Sequence, residues 1–210
     1  MNFETLGKVS DVSERKFPSR LEALAAEKWA ERTIDVVELD KAVCQLLGVD
    51  EPVTQENRRE LPVLTAETRE RLKKYGWPDT VLDSIGSEAE AKIYEDANVK
   101  HEVVNGKDVL VKQDIDPDQK DIDGKTNLER MKDGKAPLDK DGRPIELHHI
   151  GQNPDSPLIE LTRDEHRGEG NDSILHNKTD ESKIDREAFG SERAEHWKAH
   201  AEQIEAQRQA

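Results

Sequence analysis

The spacing of apolar residues in this chain changes from a helical period to an alternating one near residue 100. Leu21, Leu24, Ala25 and Trp29 recur at helical spacing and predict a helix from Leu21 to Ala30. A second helix is expected from about Val37 to Leu47, stopping at Gly48. The stretch Asp50-Glu51-Pro52 through Leu61-Pro62 is polar and proline-bounded, which makes it the linker candidate. Thr65 is placed to cap a helix through Tyr75 that ends at Gly76, and Pro78 suits the first turn of a short helix running to Gly86. Ser87 and Glu90 have capping-box spacing, so a further helix is expected to about Ala97. Leu64, Leu72, Trp77, Val81, Leu82, Ile85 and Tyr94 form the expected core of this helical cluster.

Beyond it, His101 to Val104 and Lys107 to Val111 flank Asn105-Gly106 and predict a β-hairpin with a type I′ turn. Thr126 and Glu129 form a second capping box, heading a short helix that ends at Gly134. Asp141-Gly142 marks a turn, Pro144 to Ile150 a strand, and Pro157 to Leu161 the returning strand. A third capping box, Thr162 and Glu165, starts a helix at Arg163. A last amphipathic helix is expected from Asp185 to about Glu205, carrying Phe189 and Trp197 over the core. The fold class is therefore α+β: a helical N-terminal segment and linker (1–60), then a domain (61–210) whose core is a β-hairpin followed by a helix at about 144–178.

Composition sharpens this picture. The 210 residues are 33% apolar and 38% charged, which implies a thin core and a wet surface. The net charge of −15 argues against a passive nucleic-acid binder, because neutralising phosphates needs a basic face. It leaves room for a nuclease in which a divalent cation supplies local positive charge. Cys44 is the single cysteine, so no intramolecular disulfide forms, and its apolar neighbours give it a buried structural role. No apolar run is long enough to span a membrane, and Met1-Asn2-Phe3-Glu4 lacks the pattern of a signal peptide. Export would then require a specialised system or a larger parent polypeptide.

Four of the seven histidines fall between residues 148 and 176: His148, His149, His166 and His176. Adjacent residues of a strand point to opposite faces, so His148 and His149 are expected to play different roles, one on a metal and one facing substrate. Glu146 shares the strand face of His148, where it is either a partner fixing a ligand tautomer or a surface glutamate. Arg143, Arg163 and Arg167 flank the site, each either a phosphate contact or a solvated surface charge. His196 and His200 are spaced i, i+4 on the last helix and are assigned a surface or packing role. The alternate acids Asp114, Asp116 and Asp118 lack the glycine and terminal glutamate of an EF-hand and read as a turn.

The segments Pro144-Ile145-Glu146-Leu147-His148-His149-Ile150-Gly151-Gln152, Glu160 through Arg167 and Gly170 through His176, in that order, resemble the LHH family of bacterial polymorphic toxins. That family belongs to the HNH/endonuclease VII superfamily, and the resemblance spans roughly residues 78 to 200. It implies a ββα-metal nuclease. The string Glu146-Leu147-His148-His149 also resembles the nuclease domain of DNase colicins. Carried over, His148 becomes a metal ligand and His149 the general base, with His166 and His176 as distal ligands. In colicins the distal histidines lie one helical turn apart, whereas ten residues here would span about 15 Å of continuous helix. Both reach one ion only if the helix breaks at Gly168 or Gly170. Asn171 is either the asparagine that orients His149 or a plain loop residue.

The resemblance implies hydrolysis of DNA phosphodiesters with one divalent ion, zinc or magnesium, and a histidine-rich site favours zinc or another transition metal. It also implies action in the cytoplasm of a target bacterium and a cognate immunity protein as partner. Two rivals differ in class. One is a non-catalytic zinc-stapled interaction module. The other is an acidic immunity or DNA-mimic protein, which accounts for the charge and leaves the histidines without a purpose.

Overall fold

Thr65, Ser87, Thr126 and Thr162 each begin a helix, because each hydroxyl accepts a bond from an otherwise unpaired amide of the first turn. The computed structural model describes residues 54–55, 58–168 and 170–209. The helices expected at 21–30 and 37–47, and Cys44, lie outside the described residues. The elements are α1 (Ala66–Lys74), α2 (Asp79–Leu82), α3 (Glu88–Asp96), β1 (Val99–Val104), β2 (Lys107–Lys112), α4 (Asn127–Lys132), β3 (Glu146–His149), β4 (Leu158–Leu161), α5 (Arg163–Arg167), α6 (Asn171–Leu175) and α7 (Arg186–Gln209).

The strands form one mixed sheet in the order β1-β2-β4-β3. β1 and β2 make the expected hairpin, with Asn105 and Gly106 at φ 51° and 75° as a type I′ turn requires. β3 pairs antiparallel with β4, His148 opposite Ile159 and His149 opposite Leu158. β2 joins the two hairpins by a parallel pairing with β4, Val109 beside Leu158. β3 is therefore an edge strand.

Side-chain alternation divides the core between the two sheet faces. Leu110, Ile159 and Leu161 pack with Leu72, Trp77, Leu82 and Tyr94 of the helical cluster and with Leu175. Val109, Val111, Leu147 and Leu158 pack with Met131, Trp197 and Ala201 under α7. Two local expectations differ in detail. α2 stops at Leu82, where Ser84 N–H turns back to Val81 O. Glu90 does not complete a box with Ser87; its buried carboxylate accepts from Gly86 N–H, Tyr94 O–H and, across the fold, Gly151 N–H just after β3.

The helix break is built from glycine. Gly168 ends α5 where a Cβ would run into Asp164 O, and Gly170, at φ 84°, starts α6. Asn171 Nδ2 closes the corner by donating to Glu165 O at 2.9 Å. No helix among the described residues is long and apolar enough to cross a membrane.

Candidate metal and catalytic centre

Alternation along β3 sends its two histidines to different walls of one cleft of about 550 Å³, which wraps the sheet edge. His148 faces α5 and α6. His149 faces α7.

On the first wall His148, His166 and His176 converge. His166 Nε2 lies 3.1 Å from His148 Nδ1 and 3.1 Å from His176 Nε2. Two outer carboxylates assign the protons. Glu146 Oε2 takes the His166 Nδ1 proton at 2.6 Å and is held in turn by Arg167 Nε at 2.7 Å. The His176 Nδ1 proton faces Asp172, with its carboxylate at 2.9 Å and its carbonyl at 3.2 Å. Each of these rings therefore turns a bare Nε2 inward, since a neutral imidazole carries one proton. Bare lone pairs at this distance repel one another. Burial, then the neighbouring His166 and His176, pushes His148 well below the ordinary histidine range. Burial also lowers His166, against the pull of Glu146. Imidazole nitrogens on one tetrahedral ion stand about 3.3 Å apart, so this donor set fits a cation. The other His148 nitrogen, Nε2, is buried without a hydrogen-bond partner.

On the second wall His149 is 3% exposed and its ring lies 4.4 Å from that of Phe189. Its Nε2 stands 2.9 Å from Glu192 Oε2, near enough for an ion pair. The approach is off the line of a ring N–H bond, and Nε2 makes no hydrogen bond. The contact is one of charge proximity. Burial lowers His149 below the ordinary histidine range despite the adjacent Glu192 and a bond that the ring donates to the Pro154 carbonyl, which favours the neutral ring. Lys107 Nζ neutralises Glu192 from the other side at 2.6 Å.

Asn171, one reading of which had it orienting His149, is placed elsewhere. It sits at the α5–α6 corner on the wall of His148, while His149 points to α7. Arg143 is also not a free phosphate contact: Asp139, Asp141 and Asp164 hold its guanidinium, and it does not line the cleft. Arg163 is exposed at the start of α5, away from the cleft. Arg167 does line it. Glu192 and Arg193 of α7, and Asp172 behind His176, were not singled out from the sequence, and Phe189 was expected over the core without a link to His149. The i, i+4 spacing of Asp172 and His176 on one helix was the available signal. The α7 residues had no local one. Two side chains from the predicted linker also reach the site: Gln55 Nε2 donates to His176 O, and Arg58 Nε to Ile174 O.

His196 and His200 belong to another cluster. Both are buried, which removes the surface alternative and leaves packing. Glu160 Oε1 accepts from His196 Nε2 at 2.8 Å and His200 Nδ1 at 2.9 Å, and Oε2 accepts from Lys112 N–H at 3.0 Å. Burial pushes the Glu160 carboxyl up, but the two histidine bonds outweigh it and hold it at about 2.

Residues 126–203 match a family described as LHH, "a nuclease of the HNH/ENDO VII superfamily with conserved LHH". The Leu-His-His of this chain is Leu147-His148-His149 on β3. No solved structure matches the chain. The stretch 126–203, which holds both walls of the histidine cleft, is an LHH domain of the HNH/ENDO VII nuclease superfamily.

Proposed function

We propose that this domain is a metal-dependent endonuclease that hydrolyses DNA phosphodiesters. The observation that carries the reading is the convergence of His148, His166 and His176, with two of the three protons drawn outward by Glu146 and Asp172. In this reading the three imidazoles hold one divalent ion, and three nitrogen donors favour zinc or another transition metal over magnesium. Such an ion, when bound, offsets charge on the phosphoryl and leaving oxygens.

The protein's own residues do the rest. Neutral His149 accepts the proton of the attacking water as the P–O bond to the leaving oxygen breaks. Glu146 and Asp172 keep donor nitrogens bare and fix ring orientation, as partners behind metal-bound histidines do. The Phe189 ring keeps His149 in a dry pocket, where a neutral base is favoured. DNA as substrate, action in a target bacterium and a cognate immunity protein rest on the motif resemblance alone.

The test is plasmid nicking with chelator, Mg²⁺ and Zn²⁺ arms beside His149→Ala, with bound metal measured for each protein. The expected result is metal-dependent cleavage that falls by about 10²–10⁴-fold in His149→Ala while its metal content holds. Cleavage in excess chelator, or unchanged in the variant, overturns the mechanism. Metal retained with no cleavage in either protein favours the interaction-module rival.

A further inference from the structure

The cleft presents its cations unequally. Arg167, which lines it, gives its Nε to Glu146, and Lys107, behind the His149 wall and outside the lining, is paired with Glu192. Arg193 also lines the cleft, from α7, and it makes no hydrogen bond or ion pair with any described residue. Its guanidinium instead lies 5.1 Å above the Phe189 ring, one helical turn back. That same ring packs 4.4 Å from His149. A stacked face fixes the plane of a guanidinium and leaves its N–H fork open. Of the two arginines that line the cleft, Arg167 is tied to Glu146, and Arg193, stacked beside the candidate base, has no acidic partner among the described residues.

A second observation lies in the same wall. Gly190, next to Phe189, lines the cleft inside α7, and a Cβ built there would meet nothing within 4 Å. Packing within the chain therefore does not require this glycine. In a helix interior glycine is less favourable than alanine, and bare backbone is what the close approach of another chain needs.

We propose that Arg193, shelved on Phe189, is a subsite for a backbone phosphate of the substrate strand next to the one that is cut. This rests on the nuclease reading above. The planar fork suits two phosphate oxygens at once, and the contact positions a strand without reading its sequence. Arg193 thus supplies what Arg143, held by three aspartates, does not.

The experiment uses the full chain as wild type, Arg193→Ala and Arg193→Lys. Each is assayed on one DNA duplex across a salt series, for steady-state cleavage and, in a metal-free arm, for binding by fluorescence anisotropy. Arg193→Ala is expected to raise KM about 10-fold or more with kcat little changed, the loss of one charge-assisted contact. It is also expected to flatten the dependence of log affinity on log salt by about 1, the mark of one phosphate contact removed. Arg193→Lys should restore the salt slope, because its charge returns, and only part of the affinity. Arg193 is exposed, so thermal melting should match wild type in all three. KM, affinity and salt slope unchanged in Arg193→Ala overturn the subsite while wild-type cleavage leaves the nuclease reading standing. A wild type that binds the duplex through Arg193 without cleaving it sinks the nuclease reading instead. A wild type that neither binds nor cleaves overturns both.

Discussion

Two buried histidine clusters lie on opposite faces of one sheet and solve opposite problems with the same side chain. In His148, His166 and His176 the carboxylates stand outside, drawing protons outward so that bare nitrogens meet. In Glu160, His196 and His200 the carboxylate stands inside, so both imidazoles donate inward and the network closes on itself. Three potential ligands within reach of one another therefore do not by themselves make a metal centre. The position of the negative charge decides: outside the cluster it leaves bare nitrogens facing one another, inside it satisfies them.

The comparison breaks most sharply at Glu160. Removing one partner from a buried ionic network costs about 3–5 kcal/mol, so Glu160→Gln should lower thermal stability severely, while bound metal per folded molecule stays as in wild type. Loss of metal in the folded fraction would show that the clusters are not independent.

Glu146→Ala probes the other cluster. Losing the partner behind a ligand histidine typically costs 10–100-fold in metal affinity. We expect that loss in a competitive chelator titration, with melting of the metal-free protein little changed because Glu146 is partly exposed. Unaltered affinity would strip the outer carboxylate of its role.

pH sharpens the contrast further. Glu160 is depressed from 4.5 to about 2, so its contribution is present above pH 4.5 and fades as pH falls towards 2. His200 is raised above 6.5: burial lowers it, and the Glu160 bond and charge outweigh that. Its contribution is complete below pH 6.5 and fades as pH rises through the raised value. Melting temperature attributable to this pair should peak between about pH 4.5 and 6.5. The alkaline decline should shrink in His200→Gln; an identical profile in that variant refutes the assignment.

The smallest effect is a cap. Thr162 accepts from Glu165 N–H at the start of α5, the helix that carries His166. Thr162→Ala should cost about 1 kcal/mol in chemical denaturation and weaken metal binding only slightly. A larger change in metal affinity than in stability would mean that the cap sets the His166 position directly.

Much of this was legible because it follows local rules. The boxes at Thr126 and Thr162, the Asn105-Gly106 turn and the break at Gly168 and Gly170 each depend on a few adjacent residues. The separation of His148 from His149 needed only strand alternation. What escaped was non-local. The parallel pairing of Val109 with Leu158 has no signature in either strand. Phe189 was expected over the core, but its contact with His149 forty residues earlier, and the places of Glu192 and Arg193 beside it, were not. For Arg143, sequence proximity to the histidines gave no sign of the three aspartates around it.

The mixed sheet order carries a consequence for how the molecule assembles. β3, β4, α5 and α6 are contiguous from 146 to 175, so the three convergent histidines need only short loop closures to meet. The partners of β4 on its other side must return from β2, nearly fifty residues away, and α7 must then dock over Glu160 and His149. Contacts of low sequence separation close at lower entropic cost, so the hairpin and helix that bring the three histidines together form an early folding unit. The α7 wall over His149 is completed last, so in a nascent chain the three-histidine cluster precedes the closed cleft it shares with His149.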